Sequence, residues 1–201
     1  MKKGILISIE GIDGCGKTLL IQNLKEKFDA VFTFEPGRTN LGSKLRHILH
    51  EEKETTCDIS EYLLFAANRA QHFHEIVIPA LLSGKIVISD RMADSSVAYQ
   101  GYGRELDIKM IEQINRWAMQ NIVPDWTVYI KIDVQKAFER IAKRNEKLTS
   151  FEKEKKQFWT KVINGYETIF KNRNNLIVVD GTLSPDEVAS QTFNKLLEVL
   201  K

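Results

Sequence analysis

Gly11-Ile12-Asp13-Gly14-Cys15-Gly16-Lys17-Thr18 spells the pattern G-x-x-x-x-G-K-T and directly follows the apolar run Ile5–Ile9. The residues after it, up to Leu24, place apolar side chains at helical spacing. A strand, a glycine-rich loop and a helix in this order build a phosphate cradle, because glycines let backbone N–H groups close around an anion. The helix N-terminus adds partial positive charge. The stretch therefore predicts a nucleoside triphosphate site.

Two side chains of this loop have chemistry of their own. We expect Lys17 to reach the β- and γ-phosphates and the Thr18 hydroxyl to join the coordination shell of Mg²⁺. The whole loop is expected to hold the triphosphate: Gly11, Ile12, Asp13, Gly14, Cys15, Gly16, Lys17 and Thr18. A chance match on a glycine-rich turn is the alternative, and the strand before and helix after the loop argue against it.

The composition sets limits on the class of protein. The chain has 201 residues, of which 43% are hydrophobic, and this predicts a single α/β domain that spans residues 1–201. Twenty-nine basic against 27 acidic residues, interspersed, give no basic surface for nucleic acid, and no apolar run predicts a signal peptide or a membrane span. Cys15 and Cys57 stand alone without metal-ligand spacing, which indicates a reducing compartment. We expect a cytoplasmic enzyme.

Five β-rich runs alternate with helical patterns, which predicts a parallel sheet with helices on both faces. The runs are Ile5–Glu10, Ala30–Phe34, Lys85–Asp90, Trp126–Asp133 and Leu176–Asp180. Their turns collect at the carboxyl ends of the strands, where such sheets bind ligands. A long helical pattern extends from Asp58 to about Leu82. The charge-rich stretch 140–156 fits either a solvated helix face or a mobile lid over the triphosphate.

An Asp-Arg pair follows the third predicted strand. Asp90 would lie beside the phosphate loop, where it can hold the Mg²⁺ shell through water. Arg91 would then sit between two phosphates, since its planar fork can engage the transferred group and the acceptor together. A purely structural Asp–Arg pair is the alternative, which the neighbouring phosphate loop disfavours.

A second pair suits a nucleobase. Phe65 and Arg69 are four residues apart, on one face of the predicted helix. The aromatic ring can stack on a base while the guanidinium donates to an exocyclic oxygen. A phenylalanine on an apolar helix is more often part of the core, so the pair alone does not decide the site.

Four segments together resemble the thymidylate kinase family, in that family's order and spacing. They are E-G-I-D-G-C-G-K-T from Glu10, E-P-G from Glu35, F-A-A-N-R-A-Q-H from Phe65 and D-R-M-A-D-S-S-V-A-Y-Q-G from Asp90. The resemblance runs from Ile5 to the terminal helix. It implies the P-loop nucleoside monophosphate kinase fold and transfer of the γ-phosphoryl of ATP to dTMP, with Mg²⁺, giving ADP and dTDP for dTTP synthesis. It also implies a homodimer, which we expect to form through the helix around 62–82.

The resemblance implies roles for the residues that match these segments. Phe65 would stack on thymine, and Arg69 would bond its O4 atom. The remaining roles on the acceptor side are Gln100 at the base edge with Ser96 nearby, Arg46 and Arg91 on the acceptor phosphate, Asp13 at the sugar 3′-hydroxyl or the acceptor phosphate, and Glu35 supporting the metal and arginine network.

The chain departs from the family pattern at several positions. Gly14 and the basic stretch after Arg140 match the subgroup whose catalytic arginine comes from the lid, yet Ser150 stands where that arginine is expected. Arg140, Lys143, Arg144 and Lys147 are the other candidates. We favour Arg144 as catalytic, beside Lys17, Arg91 and Asp13, and assign Arg140 to ATP. Met92 replaces an aromatic residue and is expected to alter packing near the sugar.

Two other functions remain open from the residues alone. A kinase for another nucleotide or nucleoside would share the phosphate loop, although a nucleoside kinase has less use for two acceptor-phosphate arginines. A nucleotide-dependent switch would share it too, but no N-K-x-D segment reads guanine. His72 and His74 have no carboxylate or cysteine near them at metal-ligand spacing, so we expect them at the surface or at an interface.

Overall fold

The computed structural model describes residues 4–51, 56–144 and 148–200, with backbone alone for residue 51. Its centre is a five-stranded, fully parallel sheet in the order β2-β3-β1-β4-β5. The strands are β1 (Ile5–Glu10), β2 (Ala30–Phe34), β3 (Ile86–Asp90), β4 (Trp126–Lys131) and β5 (Leu176–Asp180). This confirms the predicted α/β fold, and three strands have the predicted bounds.

The fourth strand ends two residues before its predicted end. Asp133 accepts a hydrogen bond from the Lys136 backbone N–H at 2.9 Å and so caps the next helix instead of continuing the strand. A similar cap begins the last helix, where Ser184 and Glu187 form a reciprocal capping box.

Nine α-helical segments are assigned in the described ranges. They are α1 (Lys17–Lys25), α2 (Asn40–Glu51), α3 (Asp58–His72), α4 (Ile78–Leu82), α5 (Ala93–Ser96), α6 (Ile108–Ala118), α7 (Val134–Lys143), α8 (Lys156–Phe170) and α9 (Pro185–Val199). None of them combines the length and apolar composition that crossing a bilayer requires.

The long predicted helix is continuous but changes its winding. A π-helical stretch, Phe73–Val77, joins α3 to α4. Pro79 has no N–H to donate to the preceding turn, which accounts for a departure from regular α-helical bonding nearby. A second π-helical stretch, Val97–Gly103, continues α5. Such stretches turn successive side chains out of α-helical register, and the second one includes Gln100.

Apolar residues cover the sheet on both faces. Along β1, Ile7 and Ile9 are fully buried in a large cluster with side chains of α1, α8 and α9. Leu6 points the other way, into a cluster that includes Phe73 and Leu81. Because neighbouring strand residues face opposite sides, this split confirms helices on both faces. The carboxyl ends of the central strands are left for ligands.

Candidate active site

One cavity of about 920 Å³ lies at the carboxyl ends of the strands. It is large enough for a ligand of nucleotide size or larger. The predicted site residues that line it are Asp13, Gly14, Cys15, Gly16, Lys17, Thr18, Glu35, Arg46, Phe65, Arg69, Asp90, Arg91, Ser96, Gln100, Arg140 and Arg144. Gly11 and Ile12 do not line it; they are buried beneath the loop, and their carbonyls hold side chains of the site.

The glycines of the phosphate loop are needed for its backbone path. Gly14 has φ +80, and a Cβ atom there would lie 2.6 Å from the carbonyl oxygen of Ala137 in α7. Gly16 has φ +107 and is the N-cap residue of α1. Lys17 is buried and donates from Nζ to the carbonyls of Gly11 at 3.0 Å and Ile12 at 3.1 Å. The ammonium group is thus held at the loop, ready for an anion.

The chemistry of Asp90 and Thr18 fits a divalent cation. Within the described part of the chain, Asp90 Oδ1 is a buried carboxylate oxygen without a hydrogen-bond partner. Thr18 is exposed on the same cavity wall. No group of three His, Cys, Asp or Glu side chains that could enclose a metal occurs in 4–51, 56–144 and 148–200. An ion here would take most of its ligands from phosphates and water, as Mg²⁺ does.

Arg91 is the best-connected cation of the cavity. It has φ +67, and its guanidinium donates to Gly11 O at 3.0 Å, Tyr99 Oη at 3.1 Å and the carboxylate of Asp13. Burial alone would raise the pKa of Asp13, but Arg91 and Lys17 outweigh it and the pKa is lowered. Asp13 therefore stays ionised and fixes the arginine between the loop and the acceptor side.

Glu10 supports this arrangement from below, and the sequence reasoning did not single it out. Its carboxylate accepts from the Met92 N–H at 2.8 Å, Ser95 Oγ at 2.6 Å and Tyr166 Oη at 3.1 Å. Burial and the nearby Asp94 carboxylate raise the pKa of Glu10. The carboxylate pins the backbone that follows Arg91. Its place beside Gly11 in the E-G-I-D-G segment was the available signal.

A buried ion-pair network lies on the other side of the cavity. One carboxylate oxygen of Glu35 accepts a hydrogen bond from Arg69 Nε at 2.9 Å, and the other lies 2.8 Å from His72 Nδ1. The expectation that His72 lies at a surface or interface is wrong: it is fully buried, with Thr33 Oγ1 2.6 Å from Nε2. Burial would raise the pKa of Glu35, but Arg69 and His72 lower it. Both oxygens face these partners, so Glu35 supports the arginine network.

The predicted base-binding pair, Phe65 and Arg69, lines the cavity. Phe65 is half-buried on the cavity wall, with its ring centroid 6.1 Å from that of Phe151. Arg69 is fully buried and donates to Ser96 Oγ at 3.1 Å, Asn115 Oδ1 at 2.6 Å and Met92 O at 3.0 Å as well as to Glu35. These bonds fix the guanidinium plane and leave one Nη2 N–H without an acceptor among the described residues.

Arg46 completes the cavity on the side of the second strand. It lies on α2, donates to the Pro36 carbonyl at 2.8 Å and is 5.9 Å from the ring of Phe34. Gly37 lies next to it with φ +124, where a Cβ atom would be 2.8 Å from the Arg46 side chain. The glycine thus lets the arginine approach the turn closely.

The basic stretch is not a solvated helix face throughout. Arg140, on α7, donates to Cys15 O at 3.4 Å beside the phosphate loop, and Arg144 pairs with Glu152. Ser150 is buried and donates to Leu49 O at 3.0 Å. The position of the expected lid arginine is therefore turned toward α2. Lys147, another candidate, lies outside the described residues.

Comparison with known proteins places this geometry in a family. The protein-family model described as thymidylate kinase matches residues 9–192 of the chain. The chain is 42% identical over 189 residues to the thymidylate kinase of Fervidobacterium nodosum, covering 92% of this chain and 94% of that protein. It is 37% identical over 201 residues to that of Halothermothrix orenii, covering 96% and 97%. For Staphylococcus epidermidis the identity is 38%, covering 97% and 98%. The chain belongs to the thymidylate kinase family.

The departure from the thymidylate kinase pattern at Met92 has a structural context. The Met92 side chain is buried in the cluster with Phe73 and Val77, away from solvent. Its backbone carries the functional contacts, since its N–H bonds Glu10 and its carbonyl accepts from Arg69. An unbranched, flexible side chain fills such a space well.

Proposed function

We propose that the protein transfers the γ-phosphoryl group of ATP to dTMP, giving ADP and dTDP. The observation that carries this is one cavity lined both by the phosphate loop and by Phe65 and Arg69, the pair to which we assign the base. Arg91 lies between them, held to the loop through Gly11 O and Asp13. Membership of the thymidylate kinase family supports the same reaction.

The base side favours a pyrimidine with an acceptor at position 4. Phe65 supplies a ring face on the cavity wall, and the remaining Arg69 N–H can donate to O4 of thymine. Cytosine presents an amino group there, which would leave this buried donor unpaired. Ser96 and Gln100 line the same wall.

The phosphate side supplies positive charge and alignment. The acceptor phosphate is already anionic, so no strong base is needed; the protein aligns two phosphates and offsets the charge of the transferring group. Lys17 serves the β- and γ-phosphates, Arg91 lies between donor and acceptor, and Arg46 grips the acceptor. Thr18 and the unpaired Asp90 oxygen would hold Mg²⁺ directly and through water. When bound, Mg²⁺ would neutralise phosphate charge.

The lid cation is the remaining assignment. Arg144 lines the cavity and its partner Glu152 lines it as well, so the guanidinium can exchange this carboxylate for a phosphate. Arg140 lies next to the loop backbone and serves ATP. We therefore keep Arg144 as the catalytic lid residue.

We propose that two copies associate through α3, which includes the start of the helix around 62–82 expected to form the dimer, and through the neighbouring α6. Each helix exposes apolar side chains at helical spacing: Ile59 and Leu63 on α3, Met110 and Trp117 on α6. The two helices pack side by side, with the Tyr62 hydroxyl donating to Ile111 O at 2.8 Å. We infer that their exposed stripes lie together on one surface. Both cysteines are free thiols, which suits a reducing cytoplasm.

A coupled assay of ADP release tests the reaction. We expect rapid release with ATP, Mg²⁺ and dTMP, slower release with dUMP or CMP, and none above background with thymidine. Preference for thymidine would indicate a nucleoside kinase. Slow ADP release that no acceptor accelerates would indicate a nucleotide-dependent switch and overturn the proposal.

A further inference from the structure

We propose that Glu61 is a positioning residue that sets the orientation of the Gln100 amide and thereby makes the base site reject cytosine. This inference rests on the proposed function and adds a determinant to it. The residue lies at the start of α3 and is 1% exposed, whereas Gln100 lies on the π-helical stretch and is 2% exposed.

The orientation of a buried amide follows from its partners. Gln100 Nε2 donates to Glu61 Oε1 at 3.0 Å. A carboxylate held by an arginine can only accept, so the amino end of the amide must face it. The carbonyl oxygen Oε1 is the other terminal atom of the same planar group, so it does not face Glu61. Among residues 4–51, 56–144 and 148–200, none donates a hydrogen bond to Gln100 Oε1, and Gln100 lines the base end of the cavity.

Arg104 pairs with the same carboxylate. Its Nε and Nη2 each lie 3.4 Å from a Glu61 oxygen, and Nη2 also lies 2.8 Å from Glu154. The guanidinium also lies close to two aromatic rings, 4.6 Å from the ring centroid of Phe158 and 5.6 Å from that of Phe151. Burial would lower the pKa of Arg104, but Glu154 and Glu61 raise it, so the charge opposite Glu61 is permanent.

The fixed orientation distinguishes the two pyrimidine types. Thymine carries N3–H, a donor that can bond Gln100 Oε1, whereas N3 of cytosine is an acceptor that would face the same oxygen. Turning the amide over would suit cytosine, but it would place Oε1 against the Glu61 carboxylate. Either orientation of the amide therefore leaves two acceptors facing each other when cytosine is bound, which is unfavourable in a buried site. Glu61 therefore prevents the adaptation that cytosine needs, without touching the base.

The test is the ratio of kcat/KM for dTMP to kcat/KM for dCMP. Glu61→Gln replaces the obligate acceptor by an amide that can donate to a turned-over Gln100, and we expect the ratio to fall by roughly 10-fold. The matched control is Glu154→Gln, which makes the same change of charge beside the same arginine but does not contact Gln100. It should leave the ratio within about 2-fold of the wild-type value.

A double variant separates positioning from general damage. If Glu61 acts through the amide, Glu61→Gln in a Gln100→Ala background should not change the ratio further, and the KM for ATP should stay constant throughout. An unchanged ratio in Glu61→Gln, an equal fall in Glu154→Gln, or an equal fall without Gln100 overturns the inference. Glu61→Asp, which only withdraws the carboxylate, gives a smaller fall and serves if the glutamine variant does not fold.

The wild-type protein distinguishes the two possible failures. Wild type that does not phosphorylate dTMP contradicts the proposed function itself. Wild type that strongly prefers dTMP, together with a Glu61→Gln variant of equal preference, contradicts only the role of Glu61.

Discussion

Arg69 Nε donates to Glu35 Oε2 at 2.9 Å, and both side chains are 2% exposed. A buried pair of this kind contributes little net stability as a pair, but removing one member leaves an uncompensated charge. Here the pair also orients the guanidinium of Arg69, which we propose bonds the base and which donates further hydrogen bonds to Ser96 Oγ and Met92 O. The stability of the fold and the geometry of the proposed base site therefore depend on the same carboxylate.

Glu35→Gln is expected to lower the free energy of unfolding by about 3 kcal/mol at neutral pH. The folded-state pKa of Glu35 lies below its ordinary value of 4.5. Its contribution is thus present above that value and is lost as the pH falls through the lowered folded-state pKa. Urea unfolding of wild type and variant should show a difference that is constant near neutrality and shrinks below about pH 4.5. A difference that grows on acidification would contradict this assignment.

Arg91→Ala is expected to lower kcat by about 10³-fold or more, because it removes the charge between the two phosphates. Arg91→Lys should recover little of this, since an ammonium lacks the planar fork that also holds Asp13 and Tyr99. Steady-state kinetics, with circular dichroism to verify folding, measures the effect. Turnover above a tenth of the wild-type rate in the alanine variant would remove Arg91 from its proposed role.

The two lid arginines should separate kinetically. Arg144→Ala is expected to lower kcat with little change in the KM for ATP, whereas Arg140→Ala should mainly raise that KM, since it lies beside the phosphate loop. Adding Ser150→Arg should not rescue Arg144→Ala, because position 150 is buried against Leu49. Rescue would mean that the lid rearranges to present position 150 to the phosphates.

The proposed dimer predicts a concentration-dependent mass. Leu63→Arg, on the exposed stripe of α3, should convert a dimer into a monomer in sedimentation experiments, because a charge cannot be buried there unpaired. The control is Leu197→Arg on α9, an exposed leucine outside this surface. A wild-type monomer at all concentrations, or equal dissociation by both variants, would contradict the assignment of this surface.

The sequence predicted the sheet well because its strands are short β-branched runs between glycine, proline and aspartate turns. It also predicted that the phosphate loop and Asp90 would lie at one site, since parallel strands end on one edge, and both line the cavity. The expected place of Phe65, which lies within α3, came from the family resemblance. The sequence could not predict His72 and Glu10, whose partners are distant along the chain: Glu35 is 37 residues from His72, and Tyr166 is 156 residues from Glu10. Such pairs exist only through tertiary packing; the E-G-I-D-G segment contains Glu10, but no local pattern records its partners.

Gly14 gives the sharpest test of the phosphate loop. Gly14→Ala must accept both φ +80 and a Cβ atom 2.6 Å from Ala137 O. Gly84→Ala is its matched control, since Gly84 has φ +77 and no described atom lies within 4 Å of its Cβ position. The control should lose about 1 kcal/mol of unfolding free energy from the backbone alone and keep its kinetics. Gly14→Ala should lose more and raise the KM for ATP, because α7 backbone and loop must move apart. Equal losses in the two variants, with unchanged KM, would show that contact with α7 does not shape the loop.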